Sequence, residues 1–276
     1  MQVTDAQVHL WKAHSPERPW PADRAAGAHG ASLDAEQMLA MMAEAGVERA
    51  VIVPPSWEGD RNDCALEAVA RYPGKFAIMG RLPIEDPGSR ERVADWKSQP
   101  GMLGMRFTFH TPQHKQWLND GTADWLWPEA EKAHVPLMVN VPGSVRLLAR
   151  VAQQHPGLKL TVDHLACAAY KKDDEAYPEL DDLIALARFP NVSVKASAVA
   201  RHTTEAYPYP RTQLKLRRVF DAFGPRRFFW GSDISSLPCT YRQAITLFTE
   251  ELSWLSPQDL EQVMGQALCQ WLDWGF

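Results

Sequence analysis

Short apolar runs and helical segments alternate eight times along this chain, and that alternation limits the fold more than any other feature of the sequence. Runs such as RAVIVP (49–54), VPLMVNV (135–141), VSVKAS (192–197) and FFWGSD (228–233) are short and almost wholly apolar. Strands of that kind suit a sheet covered on both faces, which is a parallel sheet. Further strands are expected over 3–11, 75–84, 102–109 and 159–166. A first helix is expected between an N-cap at Ser32 and a stop at Gly46. Others follow over 63–72, 87–98, 122–133, 144–155, 177–188, 210–223, 241–252 and 257–272. Eight strand–helix units in about 250 residues match an α/β fold of the (β/α)8 TIM-barrel type. It is expected as a single domain over residues 1–276, with extra C-terminal helices. An open doubly wound sheet would need a glycine-rich turn after its first strand, and the turn there reads HLWKAHSP.

A barrel gathers the C-terminal ends of its strands at one mouth. Nearly every expected strand carries a polar group near that end. They are Gln7 and His9, Ser56, Arg81, Arg106, Asn140, His164, Lys195 and Asp233. Singly, each has an ordinary structural explanation: Asp233 as a helix cap, the histidines as satisfied core residues, the arginines as surface pairs. Lys195 is harder to dismiss, because a lysine in an apolar strand must be paired to offset its desolvation. Asp5, Gln7 and His9 share one face of the first strand by the two-residue period. Trp11, Trp57 and Trp230 read as core or lid packing. Together the groups point to a pocket with one acid, two imidazoles and several cations. That set suits attack of water on a carbonyl, with a carboxylate as base and cationic or imidazole groups on the oxyanion. There is no Gly-x-Ser-x-Gly elbow.

The net charge is -5 with no long basic run, so neither nucleic acid nor an anionic membrane is an expected partner. The four cysteines are scattered and form no CxxC, which fits a reduced, cytoplasmic setting. The opening MQVTDAQVHLW has no apolar h-region, so no signal peptide is expected.

DAQVHLW resembles the opening strand of the amidohydrolase superfamily, whose members usually read D-x-H-x-H. TVDHLA, VSVKAS and WGSD are similar to the strand-six, strand-seven and strand-eight signatures of its lactonase-like branch, which includes 2-pyrone-4,6-dicarboxylate lactonase and sugar lactonases. The likeness also covers LGMRFTF and the segment from VIVPPSWEGDRN to AIMGRL. By that resemblance Asp233 would activate water, and His9 and His164 would point at the scissile carbonyl. Arg106 and Arg201 would hold an anionic group, with Ser56 and Asn62 at the rim. The sequence departs from the pattern at Gln7, in place of the first histidine of the pair. It departs again at Asn140, where metal-dependent relatives place a histidine, and at Ile234–Ser236, in place of the usual D-W-P-H continuation. An amide is a poor ligand for zinc. The expectation is therefore hydrolysis of a carboxylated or sugar-acid lactone without tightly bound metal. A weakly held divalent cation such as zinc would fall on His9, His164 and Asp233. The alternatives are a metal-dependent decarboxylase or hydratase of an aromatic acid, and a barrel that only binds its ligand. The partner expected is a small anionic substrate, with a homodimer as the base-rate assembly. Loops 12–31, 55–62, 111–121, 168–176 and 198–210 would set specificity.

Overall fold

A computed structural model describes residues 1–21, 32–168 and 170–275. Part of the first expected specificity loop, 22–31, lies outside the described residues. Eight parallel strands follow in sequence order: β1 Thr4–Val8, β2 Arg49–Ile52, β3 Phe76–Gly80, β4 Met102–Thr108, β5 Leu137–Asn140, β6 Leu160–Val162, β7 Val192–Ser197 and β8 Phe228–Gly231. The ring closes where β8 runs out. The Asp233 amide donates to the Gln7 carbonyl at 3.0 Å, and the Ser232 amide donates to Asp5 Oδ1 at 2.8 Å. This is the (β/α)8 barrel expected from the alternation.

Two cores follow from the two-residue period of the strands. One set of strand residues, including Ile52, Ile78, Val139, Val194 and Trp230, packs against helices such as Leu147–Gln154 and Pro210–Phe223. The intervening set, including Val51, Met79, Met138 and Phe229, fills the barrel interior. Leu268 and Leu272, in and just after the helix Ala267–Trp271, join that inner set. At Gly104 on β4 an added Cβ would lie 2.3 Å from the Pro136 carbonyl, so this close approach of two strands requires glycine.

Several boundaries differ from the sequence reading. The first helix spans Ala35–Ala45 and is capped by Asp34, whose carboxylate accepts from the Gln37 amide in a capping box. Ser32 lies outside it, while Gly46 ends the helix in the left-handed region at φ 82°. The expected helix over 87–98 is two single turns, Ser89–Arg92 and Trp96–Ser98. A helix at Pro112–Trp117 had no counterpart in the sequence reading. β3 stops at Gly80, so Arg81 lies beyond the strand. β6 stops at Val162, and Asp163–Ala166 forms a tight turn.

β1 departs most. Its pairing with β2 shifts between Asp5 and Val8, and Asp5 Oδ1 takes the freed Gln7 amide at 2.9 Å. Such a bulge breaks the alternation of faces. Asp5 therefore does not share partners with Gln7 and His9. It accepts from Ser232 and from the Tyr241 hydroxyl at 2.5 Å, fastening β1 to β8 and to the helix Tyr241–Thr246.

Candidate active site

The alternation that builds the inner core also builds the mouth. Two residues beyond Met138 comes Asn140, two beyond Arg106 comes Thr108, and four beyond Phe229 comes Asp233. A cavity of about 420 Å³ opens there. Gln7, His9, Ser56, Arg106, Asn140, His164, Arg201 and Asp233 all line it, as the sequence reading expected.

Below the cavity floor lies a buried ion cluster. Asp163 is fully buried, with Lys195 Nζ 2.8 Å from Oδ1 and Arg106 Nε 3.0 Å from Oδ2. Burial pushes its carboxyl up, and the charges of Lys195 and Arg106 outweigh that, leaving it below the usual range. Lys195 does not line the cavity; it is wholly buried and donates upward to Gln7 Oε1. Arg106 reaches the cavity wall while tied to Asp163 and to the Thr108 hydroxyl.

His9, His164 and Asp233 converge above this cluster. His9 Nδ1 faces the Val53 carbonyl and its Nε2 lies 3.0 Å from Asp233 Oδ1. Ser236 Oγ donates to Asp233 Oδ2 at 2.7 Å. Burial raises the Asp233 carboxyl, but the hydrogen bond and charge of His9, then His164 and Ser236, carry it far below the usual carboxylate range. Asp233 does open a short helical turn, as a cap would, yet its side chain makes no capping bond. His164 is held by Ser197 Oγ at 2.8 Å from Nδ1. Burial takes its pKa down to about 3, against the pull of Asp233 and Asp163. Both His164 (φ 52°) and Asp233 (φ 54°) occupy the left-handed region, which costs a non-glycine residue roughly 1 kcal/mol or more. The chain bends sharply at both points and leaves the two side chains in the mouth.

Two further expected residues stand elsewhere. Asn62 clamps the backbone of Arg81, accepting from its amide at 2.7 Å and donating to its carbonyl at 2.9 Å. Arg81 is buried outside the cavity lining, 3.6 Å from Asp60. The sequence reading missed His110, Cys167 and Thr108, which line the cavity together with His202 of the expected specificity loop 198–210, and assigned Trp11 and Trp57 to packing. The two tryptophans form a wall of the mouth, edge to face at 5.8 Å, backed by Trp20 at 5.1 Å from Trp57. Thr108 carried a readable signal, two residues past Arg106 on one strand.

A weakly held cation was expected on His9, His164 and Asp233, so the donor set matters. His9 Nε2, His164 Nε2 and Asp233 Oδ1 are the candidate ligands, but Gln7 Nε2 sits 3.4 Å and 3.3 Å from the two ring nitrogens. The ammonium of Lys195 only donates, so it fixes Gln7 Oε1 toward itself and the amide NH2 toward the rings. A cation between those rings would meet N–H donors. Among the described residues no group of three or more His, Cys, Asp or Glu side chains is arranged to hold a metal ion. The site does not fit a tightly bound metal.

Barrel, mouth and strand-end residues together define an enzyme of the amidohydrolase superfamily. The chain belongs to the amidohydrolase family, whose profile matches residues 4–267. It is 26% identical over 251 residues to an L-fucono-1,5-lactonase of Burkholderia ambifaria, covering 83% of this chain and 79% of that protein. It is 25% identical over 205 residues to a 4-sulfomuconolactone hydrolase of Hydrogenophaga intermedia, covering 72% and 64%. A zinc-bound amidohydrolase structure from Burkholderia multivorans superposes with a TM-score of 0.83 at 20% identity, covering 99% of each chain.

The neutral imidazoles of the mouth give a stability prediction. Burial and neighbouring positive charges lower His110 to about 4, and burial likewise lowers His202 to about 4 and His164 to about 3. Unfolding returns each toward 6.5. Between those values the unfolded chain binds protons that the folded chain does not, so stability falls as pH is lowered through that window. Melting temperatures measured from neutral pH down to pH 4 should decline, and His202→Gln should flatten the decline.

Proposed function

We propose that the protein is a lactonase acting on a small anionic lactone. The observation that carries this reading is Asp233, a carboxylate kept ionised and aimed into a barrel mouth beside His9 and His164. The names of both curated relatives describe action on lactones. Water bonds through its oxygen to the lactone carbonyl carbon and gives a proton to Asp233. The carbonyl π pair moves onto oxygen and returns as the ring C–O bond breaks. The departing oxygen takes a proton from Asp233, so one water is consumed and a hydroxy acid leaves. His164, neutral and held by Ser197, lines the same cavity and would face the carbonyl.

Arg201 suits the anionic group. Among the described residues it meets the Tyr170 ring, at 5.6 Å, and no carboxylate. Arg106 lends further positive potential, although Asp163 already pairs with it. No helix of the described residues is long and apolar enough to cross a membrane, and all four cysteines are free, in keeping with a reducing compartment.

The test is a panel of carboxylated, sulfonated and neutral sugar lactones, with aromatic carboxylic acids as controls, followed by pH-stat or indicator assay. Ring opening of at least one anionic lactone is expected. Arg201→Gln should then raise KM about tenfold or more for that substrate and leave KM for a neutral lactone nearly unchanged. Decarboxylation of an aromatic acid with every lactone untouched would overturn the reading.

A further inference from the structure

Two loops of the mouth are clasped to each other. Lys172 Nζ donates to the Thr203 carbonyl at 3.4 Å, and Asp173 accepts from the Thr204 amide at 3.0 Å and from its hydroxyl at 2.6 Å. The clasp braces the short turn Val199–His202, which leaves β7 through a left-handed Ala198 at φ 57°. That turn carries Arg201 and His202 into the cavity wall. His202 is only 4% exposed, and what stays open of it faces the cavity. Its Nδ1 lies 3.3 Å from the Lys171 carbonyl. A carbonyl only accepts, so Nδ1 carries the hydrogen. Burial, aided by the charges of Arg201 and Lys172 against the pull of the Lys171 carbonyl and Asp233, takes the ring down to about 4. Nε2 is therefore bare at neutral pH. Among the described residues it has no hydrogen-bond partner, and it is not walled off as the orphaned Nδ1 atoms of His110 and His114 are.

We propose that His202 is a specificity-determining residue whose Nε2 accepts a hydrogen bond from a hydroxyl of the substrate, beside the anionic group on Arg201. The proposal deepens the lactonase reading and rests on it for the ring that bears the hydroxyl. Adjacent residues of one turn divide the recognition: Arg201 only donates, and His202 Nε2 only accepts. A buried acceptor that meets no hydrogen loses free energy. A substrate with a C–H at that point strands it, and a second carboxylate there sets lone pairs against a lone pair. A hydroxyl supplies the hydrogen. The site thus selects hydroxylated anionic lactones over their deoxy and dianionic counterparts.

The experiment compares a carboxylated γ-butyrolactone with its monohydroxy derivatives on wild type, His202→Asn and His202→Gln. Asparagine sets its amide where Nδ1 stood, so it keeps the bond to the Lys171 carbonyl and offers nothing at the place of Nε2. Glutamine reaches the place of Nε2 with an oxygen and gives up the bond to Lys171. In wild type kcat/KM for at least one hydroxylated lactone should exceed that of the parent about tenfold or more. His202→Asn should bring the ratio of the two close to one, and His202→Gln should restore most of it. A role confined to holding the loops would follow the Lys171 bond instead, and would lower both lactones together without moving the ratio. No preference in wild type, or a preference that survives in His202→Asn, would overturn the proposal. If His202→Asn does not fold, His202→Phe, which fills the ring's space without a nitrogen, takes its place in the same comparison. If wild type opens neither lactone, the functional reading fails by itself, and calorimetric titration with the same uncleaved pairs decides. Tighter binding of a hydroxylated lactone to wild type, lost in His202→Asn, is then expected; equal binding of parent and derivatives, or none, would overturn the acceptor role.

Discussion

Asp233→Asn should lower kcat on the lactone substrate about a thousandfold, within the range general-base groups contribute, with KM nearly unchanged. The substitution is close to isosteric. An asparagine can still accept from Ser236, while its NH2 takes the place of the oxygen that faces His9. What it loses is the negative charge that accepts a proton from water. The wild-type carboxylate lies far below the usual range, so it stays ionised well into acid pH. Such a group is a weak base in solution. In the mouth His9 Nε2 lies 3.0 Å from one of its oxygens. Steady-state kinetics checks the kcat loss, and a thermal melt within a few degrees of wild type shows that the fold is intact. Equal turnover by both proteins would remove Asp233 from the chemistry.

Asp163→Asn should destabilise the fold by about 3–5 kcal/mol. Among the described residues Asp163 is the one carboxylate paired with both Lys195 and Arg106, and all three are buried. Removing its charge leaves two cations in a low-dielectric interior facing a neutral amide. The expectation is far from the usual value of an exposed pair, about 0–1 kcal/mol. Urea unfolding of the two proteins measures the difference. A loss under 1 kcal/mol would show that water reaches the cluster and screens it.

Much of this site could be read before any coordinates, for a plain physical reason. A parallel strand buried on both faces tolerates a polar side chain only where it finds a partner or a cavity. Lys195 inside VSVKAS had to be paired, and the structure supplies Asp163. The same two-residue period carries Asn140 to the mouth, while Asp233, two residues past β8, is turned into it by a left-handed bend. Legibility ended where the period ended. Arg81 lies past its strand, and its direction follows from the turn held by Asn62 rather than from any alternation. His110 and His202 sit on loops, where neighbours far apart in sequence decide orientation. The bulge in β1 escaped notice because Asp5, which stabilises it, looks in sequence like one more residue of an alternating strand. Trp11 and Trp57 show a different limit: a tryptophan in a core and one in a pocket wall satisfy the same apolar pattern.

The inner core has a kinetic corollary. Leu268 and Leu272 fill the barrel beneath the reacting groups along with Val51, Met79, Met138 and Phe229. Among the described residues, traffic therefore runs through one doorway. On the proposed lactonase reading a ring-opened acid would back out past Trp57 and Arg201 before the next molecule enters, so accumulated product would compete for the same lodging and slow its own successor.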